Sequence, residues 1–388
     1  MFPNPVMPHF GVFVLRRLKA AQKHANITIA HPVPYFPAAT LLPKYKFRKD
    51  IPDQYNIEGM DVSAIKYLSI PGICKPLDGY TMYQSIFNTF KHRFDFDVID
   101  AQLAFPDGYA AALLSAKTKR PFVVTLRGHD INVLPQLPVR GPMVRSVLSK
   151  ASRVMGVSQS LINEAIKLGA DPNKCVAVPN GVDIETFQPM PRELALKTLK
   201  LDLNSRYILS VGHLIERKGH HLIIEAIAQL RKDPKFQDVR LIIVGSASVE
   251  GNYEPEIKHT IRQHNLENYV ILAGAIHPDQ LSLWYGASHG LCLASSKEGW
   301  ANVLLESLAC GRAVLATKVW GTPEVIVDGY HGILIDRSVE QIHTGIIKLL
   351  RTEWNENILL QRAKSFTWEN SGLNLANNYL AAISTQSN

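Results

Sequence analysis

Short apolar runs, each closed by a glycine, proline or polar turn, alternate along this chain with longer stretches whose apolar residues recur at helical spacing. Residues 121–126, 154–157, 207–211, 239–244, 290–294 and 313–317 are four- to six-residue apolar runs and predict buried strands. Residues 158–168, 221–230, 281–287, 302–309 and 338–350 carry the i, i+3, i+4 pattern and predict helices. The rhythm is βαβ, which predicts parallel sheets that bind ligands at the C-terminal edges of their strands. The opening is different. Residues 2–11 (FPNPVMPHFG) read as a loop, residues 12–18 as the start of a helix, 27–30 as a strand and 32–43 as an irregular loop. Asp95-x-Asp97 precedes the apolar Val98 and Ile99, so it reads as a turn and strand entry. Residues 187–191 (FQPMP) read as a linker, and residues 366–368 introduce the last helix.

The chemistry gathers at the predicted strand edges. After the run at 290–294 come Glu298 and Gly299, a helix from Asn302, and a second carboxylate at Glu306. A helix start offers free N–H groups and a positive dipole to a phosphate, whereas a carboxylate there suits hydroxyl groups. After the run at 207–211 come Gly212, His213, Arg217, Lys218 and Gly219, a glycine loop with cations that leads into a helix. This pattern suits a phosphate, although a surface cation pair reads equally well. Gly245 closes a third strand. Arg127-Gly128-His129-Asp130 follows the run at 121–126; for His129 a structural role stands level with a functional one. Gly11 is either a plain turn or a point of close backbone approach.

Composition narrows the field. At 388 residues, 46% hydrophobic and 20% charged, the chain suits two domains rather than one core. No apolar run approaches the roughly 20 residues that span a bilayer, and residues 1–11 lack the pattern of a signal peptide. Four widely spaced cysteines without a C-x-x-C fit a reducing cytoplasm. The net charge of +8 sits in one half: residues 1–189 hold 22 Lys and Arg against 14 Asp and Glu, and residues 190–388 hold 20 against 20. This asymmetry points to an anionic partner for the first half. No nucleic-acid motif supports a nucleic-acid partner. Residues 44–49 (KYKFRK), with Arg16, Arg17 and Lys19, offer either a solvated run or a patch for an anionic membrane surface.

Residues 293–326 as a whole resemble the Glu-x7-Glu signature of family 4 glycosyltransferases. The match includes Glu298-Gly299, Asn302, Leu305-Glu306, Gly311 and Gly321-Thr322-Pro323-Glu324. Pro179-Asn180-Gly181-Val182-Asp183 matches the family's P-N-G-V-D at the close of the first domain. In the family's G-R-L-x-x-x-K-G, Lys218 is in place, His213 stands for the arginine and Arg217 is a neighbouring cation. Where members carry T-x-H-G, this chain has Thr125-Leu126-Arg127-Gly128-His129-Asp130; that run and Pro106-Asp107-Gly108-Tyr109 are most similar to the exopolysaccharide and teichuronic-acid branch. The resemblance implies the GT-B fold, two Rossmann-like domains facing across a cleft. Their bounds would be 1–188 on the acceptor side and 189–367 for the nucleotide sugar, with 368–388 returning to the first domain. Members normally open with a strand of about six residues before the Gly11 loop; the expectation here is that this strand is missing, through a start chosen downstream.

By the same resemblance the activity is retaining transfer of a sugar from a nucleotide-diphosphate sugar to a carbohydrate hydroxyl, free or lipid-linked, in cell-surface polysaccharide synthesis. Neither a metal nor a cofactor beyond the donor is expected. Lys218 with Arg217 or His213 would neutralise the leaving diphosphate, and Glu298 and Glu306 would hold sugar and ribose hydroxyls. Backbone N–H groups from Gly299 through Trp300 to Asn302 would assist, while Gly11 and Gly245 would let the backbone approach the donor and Ile276 would help to hold the base. Arg127 and His129 would face the sugar from the other domain. The enzyme would work in the cytoplasm, at the periphery of the inner face of the membrane. The alternative is a catalytically degenerate protein that binds a nucleotide sugar.

Overall fold

A computed structural model of the chain describes residues 1–8, 10–36, 47–70, 72–92, 94–248 and 251–385. The chain divides into two units, one of Met1–Asn180 with Trp368–Asn388 and one of Gly181–Thr367. Residues 181–188 thus fall in the second unit.

In the first unit, β1 (Ile29–Tyr35), β2 (Gln54–Ile57) and β3 (Met60–Leu68) form a sheet of order β1-β3-β2. A separate parallel sheet of order β4-β5-β6-β7 comprises β4 (Ile99–Ala101), β5 (Phe122–Leu126), β6 (Arg153–Gly156) and β7 (Cys175–Ala177). No strand precedes the helix Val12–Ala21 among the described residues. One apolar core serves both sheets: Val14, Leu15 and Leu18 of that helix share a single buried cluster with Ile29 and Val62 and with Val123 and Met155. The last helix, Trp368–Ser384, packs on the first through Gly372, where a Cβ would come within 2.6 Å of Ala20 Cβ.

Two expectations are corrected here. The strand β1 does not end at Ala30 but runs through Pro32 and Pro34 to Tyr35. Prolines two apart lack N–H groups on the same side of a strand, and β1 is paired on one side only, so neither removes a ladder bond. Arg17 is not a surface cation. It shares the helix face of Val14 and Ala21 and is 0% exposed, with no hydrogen-bond partner for its guanidinium. Of the basic run at 44–49, residues 44–46 lie outside the described residues.

The second unit has one six-stranded parallel sheet of order β10-β9-β8-β11-β12-β13. The strands are β8 (Arg206–Val211), β9 (Val239–Val244), β10 (Val270–Gly274), β11 (Gly290–Leu293), β12 (Val314–Thr317) and β13 (Gly332–Ile335). β11 and β12 are buried throughout, as strands covered on both faces must be. Succession runs outward from β8 in one direction and from β11 in the other. The order therefore reverses between these two neighbours, and an open parallel sheet offers a crevice at such a point. No described helix is long and apolar enough to cross a membrane.

Candidate active site

The crevice is built from the loops after β8 and β11. Two glycines let the backbones meet there. Gly219 (φ 72°) caps the helix His220–Leu230, and a Cβ on it would collide with the carbonyl oxygen of Ala294 just beyond β11. Gly245 (φ 153°) ends β9, and a Cβ there would strike the carbonyl oxygen of Gly212. The loop is thereby pressed onto the sheet edge, with its last residues opening an 11-residue helix. His220 lies beneath it, its Nδ1 3.0 Å from Ser210 Oγ. Burial, helped by the charge of Lys218, lowers its pKa to about 4, so at neutral pH it adds no charge.

Across this contact Lys218 Nζ donates to Glu298 Oε1 at 2.5 Å, and both side chains are nearly buried, at 13% and 8% exposure. Ser295 Oγ donates to the same oxygen at 2.6 Å, and Arg217 Nη1 stands 3.7 Å from it while donating to the Lys297 carbonyl at 2.9 Å. Burial alone would raise the Glu298 pKa. The charge and hydrogen bond of Lys218, with Ser295 and Arg217, outweigh burial and lower it, so the carboxylate is ionised at neutral pH. Further contacts fix the frame. Thr317 Oγ1, at the end of β12, donates to the Ser295 carbonyl at 2.6 Å. Arg337, just past β13, donates from Nε to the Ala294 carbonyl at 2.9 Å and from Nη2 to Glu216 Oε1 at 3.0 Å. It thus clamps the two loops together.

Glu306 stands in a different environment. On the helix Asn302–Ala309 it accepts from Tyr285 OH at 2.8 Å, and no described cation pairs with it. Burial raises its pKa to about 7, against a lowering contribution from Tyr285. The two glutamates thus differ in charge state, one held ionised and one titrating near neutrality.

In the first unit Arg127 follows β5 and donates from Nε to the Gln102 carbonyl at 3.2 Å and from Nη2 to Gln102 Oε1. Gln102 Nε2 donates to Asp100 Oδ2 at 2.6 Å, which also accepts from Tyr379 OH at 2.6 Å. Burial, then the charge of Arg17, lowers the Arg127 pKa to about 10 against the pull of Asp100, Asp130 and Asp107; the group stays charged. Asp130 is 1% exposed and accepts from the backbone N–H groups of Ala104, Arg127 and Gly128. It shapes the loop, and His129 beside it is exposed.

Residues 191–366 match the family model described as Glycosyl transferases group 1, and residues 52–186 match the one described as Glycosyltransferase Family 4. The two matches together take in most of the chain. The chain is a family 4 glycosyltransferase. Over 357 residues this glycosyltransferase is 29% identical to TuaC of Bacillus subtilis (strain 168), whose name assigns it provisionally to teichuronic acid biosynthesis; the alignment takes in 90% of this chain and 87% of that one. Among solved structures it is similar to sucrose-phosphate synthase (tll1590) from Thermosynechococcus elongatus, with TM-score 0.78, 18% identity, and 96% and 93% of the two chains covered. It is similar also to Anabaena Alr3699/HepE in complex with UDP, with TM-score 0.74, 20% identity, and 97% of each chain covered. At such identity these likenesses bear on the fold alone, which is GT-B.

The fold of this glycosyltransferase brings Lys218, Arg217 and Glu298 into one cluster, with Gly245 and Gly219 shaping its floor. His213 is exposed on the same loop, and Ile276 follows β10 at the same sheet edge. Gly299 is half-buried, and Asn302 opens its helix at 8% exposure. Trp300 is turned inward at 8% exposure and lies edge-on to Phe366, with a centroid distance of 5.3 Å. Gly11 (φ 78°) caps the helix Val12–Ala21 with its backbone against Met1 and Phe2. Arg127 and His129 belong to the other unit. Ser295, Thr317, Tyr285, Arg337 and Gln102 escape the sequence reading. Only Ser295, three residues before Glu298, carries a local signal.

Proposed function

We propose that this glycosyltransferase moves a sugar from a nucleotide-diphosphate sugar to a carbohydrate hydroxyl, with retention of anomeric configuration. The observation that carries the reading is the 2.5 Å Lys218–Glu298 pair at the point where the strand order of the second unit reverses. A departing diphosphate needs positive charge and an electron-poor sugar needs a fixed negative group. The pair supplies both from one place. An arriving diphosphate competes for Lys218 and frees the Glu298 carboxylate to accept sugar hydroxyls, while Arg217 adds charge on the phosphate side. Support also comes from the Anabaena neighbour, whose structures hold UDP, UDP with glucose, and UDP-glucose. The name of TuaC supports a role in cell-surface polysaccharide synthesis; in this reading the acceptor is free or lipid-linked. No metal or further cofactor enters this reading.

The excess charge of the first 189 residues supports a peripheral position at an anionic, cytoplasm-facing membrane surface. A second reading, a protein that binds a nucleotide sugar without transferring it, is favoured by the exposed His213 in the place of the family's arginine.

Native mass spectrometry of the protein against a panel of nucleotide sugars, followed for binding and slow donor hydrolysis, separates the two. Hydrolysis or transfer is expected, and binding alone would leave the second reading. Lys218→Ala is expected to weaken the bound donor by about 1.5–3 kcal/mol, roughly 10- to 150-fold, as a charge-assisted contact is lost. Unchanged affinity and rate would remove Lys218 from the site.

A further inference from the structure

Five non-glycine residues with positive φ occur among the described residues: Glu58, Lys119, Lys200, Asn265 and Trp320. Four have ordinary reasons. Glu58 turns the hairpin between β2 and β3, and Lys119, Lys200 and Asn265 sit just past helix ends; all four are exposed and polar. Trp320, at φ 44°, stands at the second position of the turn Val319–Thr322, where a positive φ calls for glycine rather than a bulky ring. A bulky aromatic residue in the left-handed region is an outlier that persists only where its surroundings fix it.

The surroundings do fix it. In the loop after β12, Val319 N–H donates to the Thr317 carbonyl at 2.9 Å and Thr322 N–H to the Val319 carbonyl at 2.9 Å. Gly321 N–H donates to the Glu298 carbonyl at 3.2 Å, which ties Trp320 directly to the loop of the candidate carboxylate. The indole is partly open to solvent and makes no hydrogen bond or ring contact with a described residue. The fold thus holds the Trp320 backbone, at a conformational cost, on a turn bonded to the Glu298 loop at the ligand edge of the sheet, with a large flat apolar ring partly open to solvent.

We infer that Trp320 is a specificity-determining residue whose indole forms the platform for the donor's hexose beside Glu298. The inference rests on the nucleotide-sugar reading above. Aromatic faces suit the apolar C–H face of a pyranose as well as a nucleobase, and the sheet order decides between them. Ile276, the candidate base contact, follows β10, four strand spacings or about 19 Å from β12. Glu298, the candidate for the hexose hydroxyls, is the neighbour.

The test uses the nucleotide sugar that the full-length protein binds most tightly from a panel of UDP- and GDP-sugars, together with the matching nucleoside diphosphate. Calorimetry is run on Trp320→Gly, Trp320→Phe and Lys218→Ala beside the unaltered chain, with melting curves of each. Trp320→Gly is expected to lose about tenfold in affinity for the nucleotide sugar while keeping that for the nucleoside diphosphate. It should melt no lower than the unaltered chain, because glycine relieves the left-handed strain. Trp320→Phe, which keeps a ring, is expected to retain most of the affinity. Equal losses for sugar nucleotide and diphosphate would overturn the hexose assignment, as would no loss at all or a lower melting point with unchanged binding. If Lys218→Ala binds the sugar nucleotide as well as the unaltered chain does, or if the panel yields no ligand, the underlying site reading falls and this inference with it. If Lys218→Ala weakens binding and Trp320→Gly does not, this inference falls alone.

Discussion

Replacing Glu306 with Gln should make the protein more heat-stable at pH 8 and leave it nearly unchanged at pH 4. Among the described residues the carboxyl has only Tyr285 OH as a side-chain hydrogen-bond partner and no cation, and burial raises its pKa from an ordinary 4.5 to about 7. Below pH 4.5 the group is protonated in both folded and unfolded chains, so it has no effect on stability. Between 4.5 and about 7 the unfolded chain releases the proton while the folded protein must hold it, and stability falls as pH rises. Above about 7 the loss is complete. At about 1.4 kcal/mol per pH unit, the difference between 4.5 and 7 amounts to about 3 kcal/mol. Partial solvent contact at Glu306 reduces that to about 2 kcal/mol. Glutamine has nearly the same shape, can still accept from Tyr285, and never ionises.

For a unit the size of Gly181–Thr367, about 2 kcal/mol corresponds to roughly 4–8 °C. Calorimetric melts of both proteins from about pH 4 to 8.5, read on the same transition, give the test. The curves should coincide at pH 4 and separate through neutrality, with the Gln variant above. Two parallel curves, or a variant that melts lower at pH 8, would refute the assignment of a buried carboxyl titrating near 7. On the proposed function, nucleoside diphosphate affinity of the unaltered chain should rise through the same interval, because an ionised Glu306 is the better acceptor of ribose hydroxyls.

Glu298→Gln should slow donor hydrolysis or transfer by about a hundredfold, more than Glu306→Gln does, because it removes fixed negative charge from beside the reacting sugar. Nucleoside diphosphate affinity should hold or rise, since Lys218 is freed from its partner; calorimetry and initial rates decide, and equal effects in the two variants would end the division of roles. At the membrane, sedimentation is expected with anionic but not neutral vesicles, weakened by salt and by changing Lys44, Lys46, Arg48 and Lys49 together to Gln. Equal recovery on both vesicle types would sink the membrane proposal. Arg17 is left out because it is buried, and Lys19 already pairs with Glu58 at 2.9 Å.

Much of the second unit is legible in the sequence because strands covered on both faces must be apolar throughout, and because the turns that bring loops onto one edge need glycine. Gly212, Gly219 and Gly245 mark that edge before any coordinate is known. Partnerships across the chain leave no such trace. Arg337 clamps Ala294 from 43 residues away, and Tyr285 meets Glu306 from 21 residues away. Nothing in the neighbourhood of either residue marks it as part of the site. Chemistry-rich runs can also mislead. Of Arg127-Gly128-His129-Asp130, the aspartate spends both oxygens on backbone N–H groups, which local sequence does not distinguish from a catalytic carboxylate. At Pro32 and Pro34 the misleading signal was composition, since proline breaks a strand only where a partner needs its N–H.

The Lys218–Glu298 pair also bears on how the site must be dissected. Burial pushes the Glu298 pKa up, and Lys218, by charge and hydrogen bond, is the first of the groups that hold it down. Removing the lysine therefore changes two things together: it takes a cation from the phosphate side, and it leaves a nearly buried carboxylate that lowers its cost by taking up a proton. A Lys218→Ala protein would have lost much of the fixed negative charge as well, so its rate defect would not belong to the lysine alone. Pairing it with Glu298→Gln separates the two, because glutamine cannot titrate. If phosphate contact and sugar contact were independent, the defects of the single variants would add in the double variant. Exchange of Lys218 from carboxylate to diphosphate makes them interdependent, so the double variant should be less impaired than the sum of its parts.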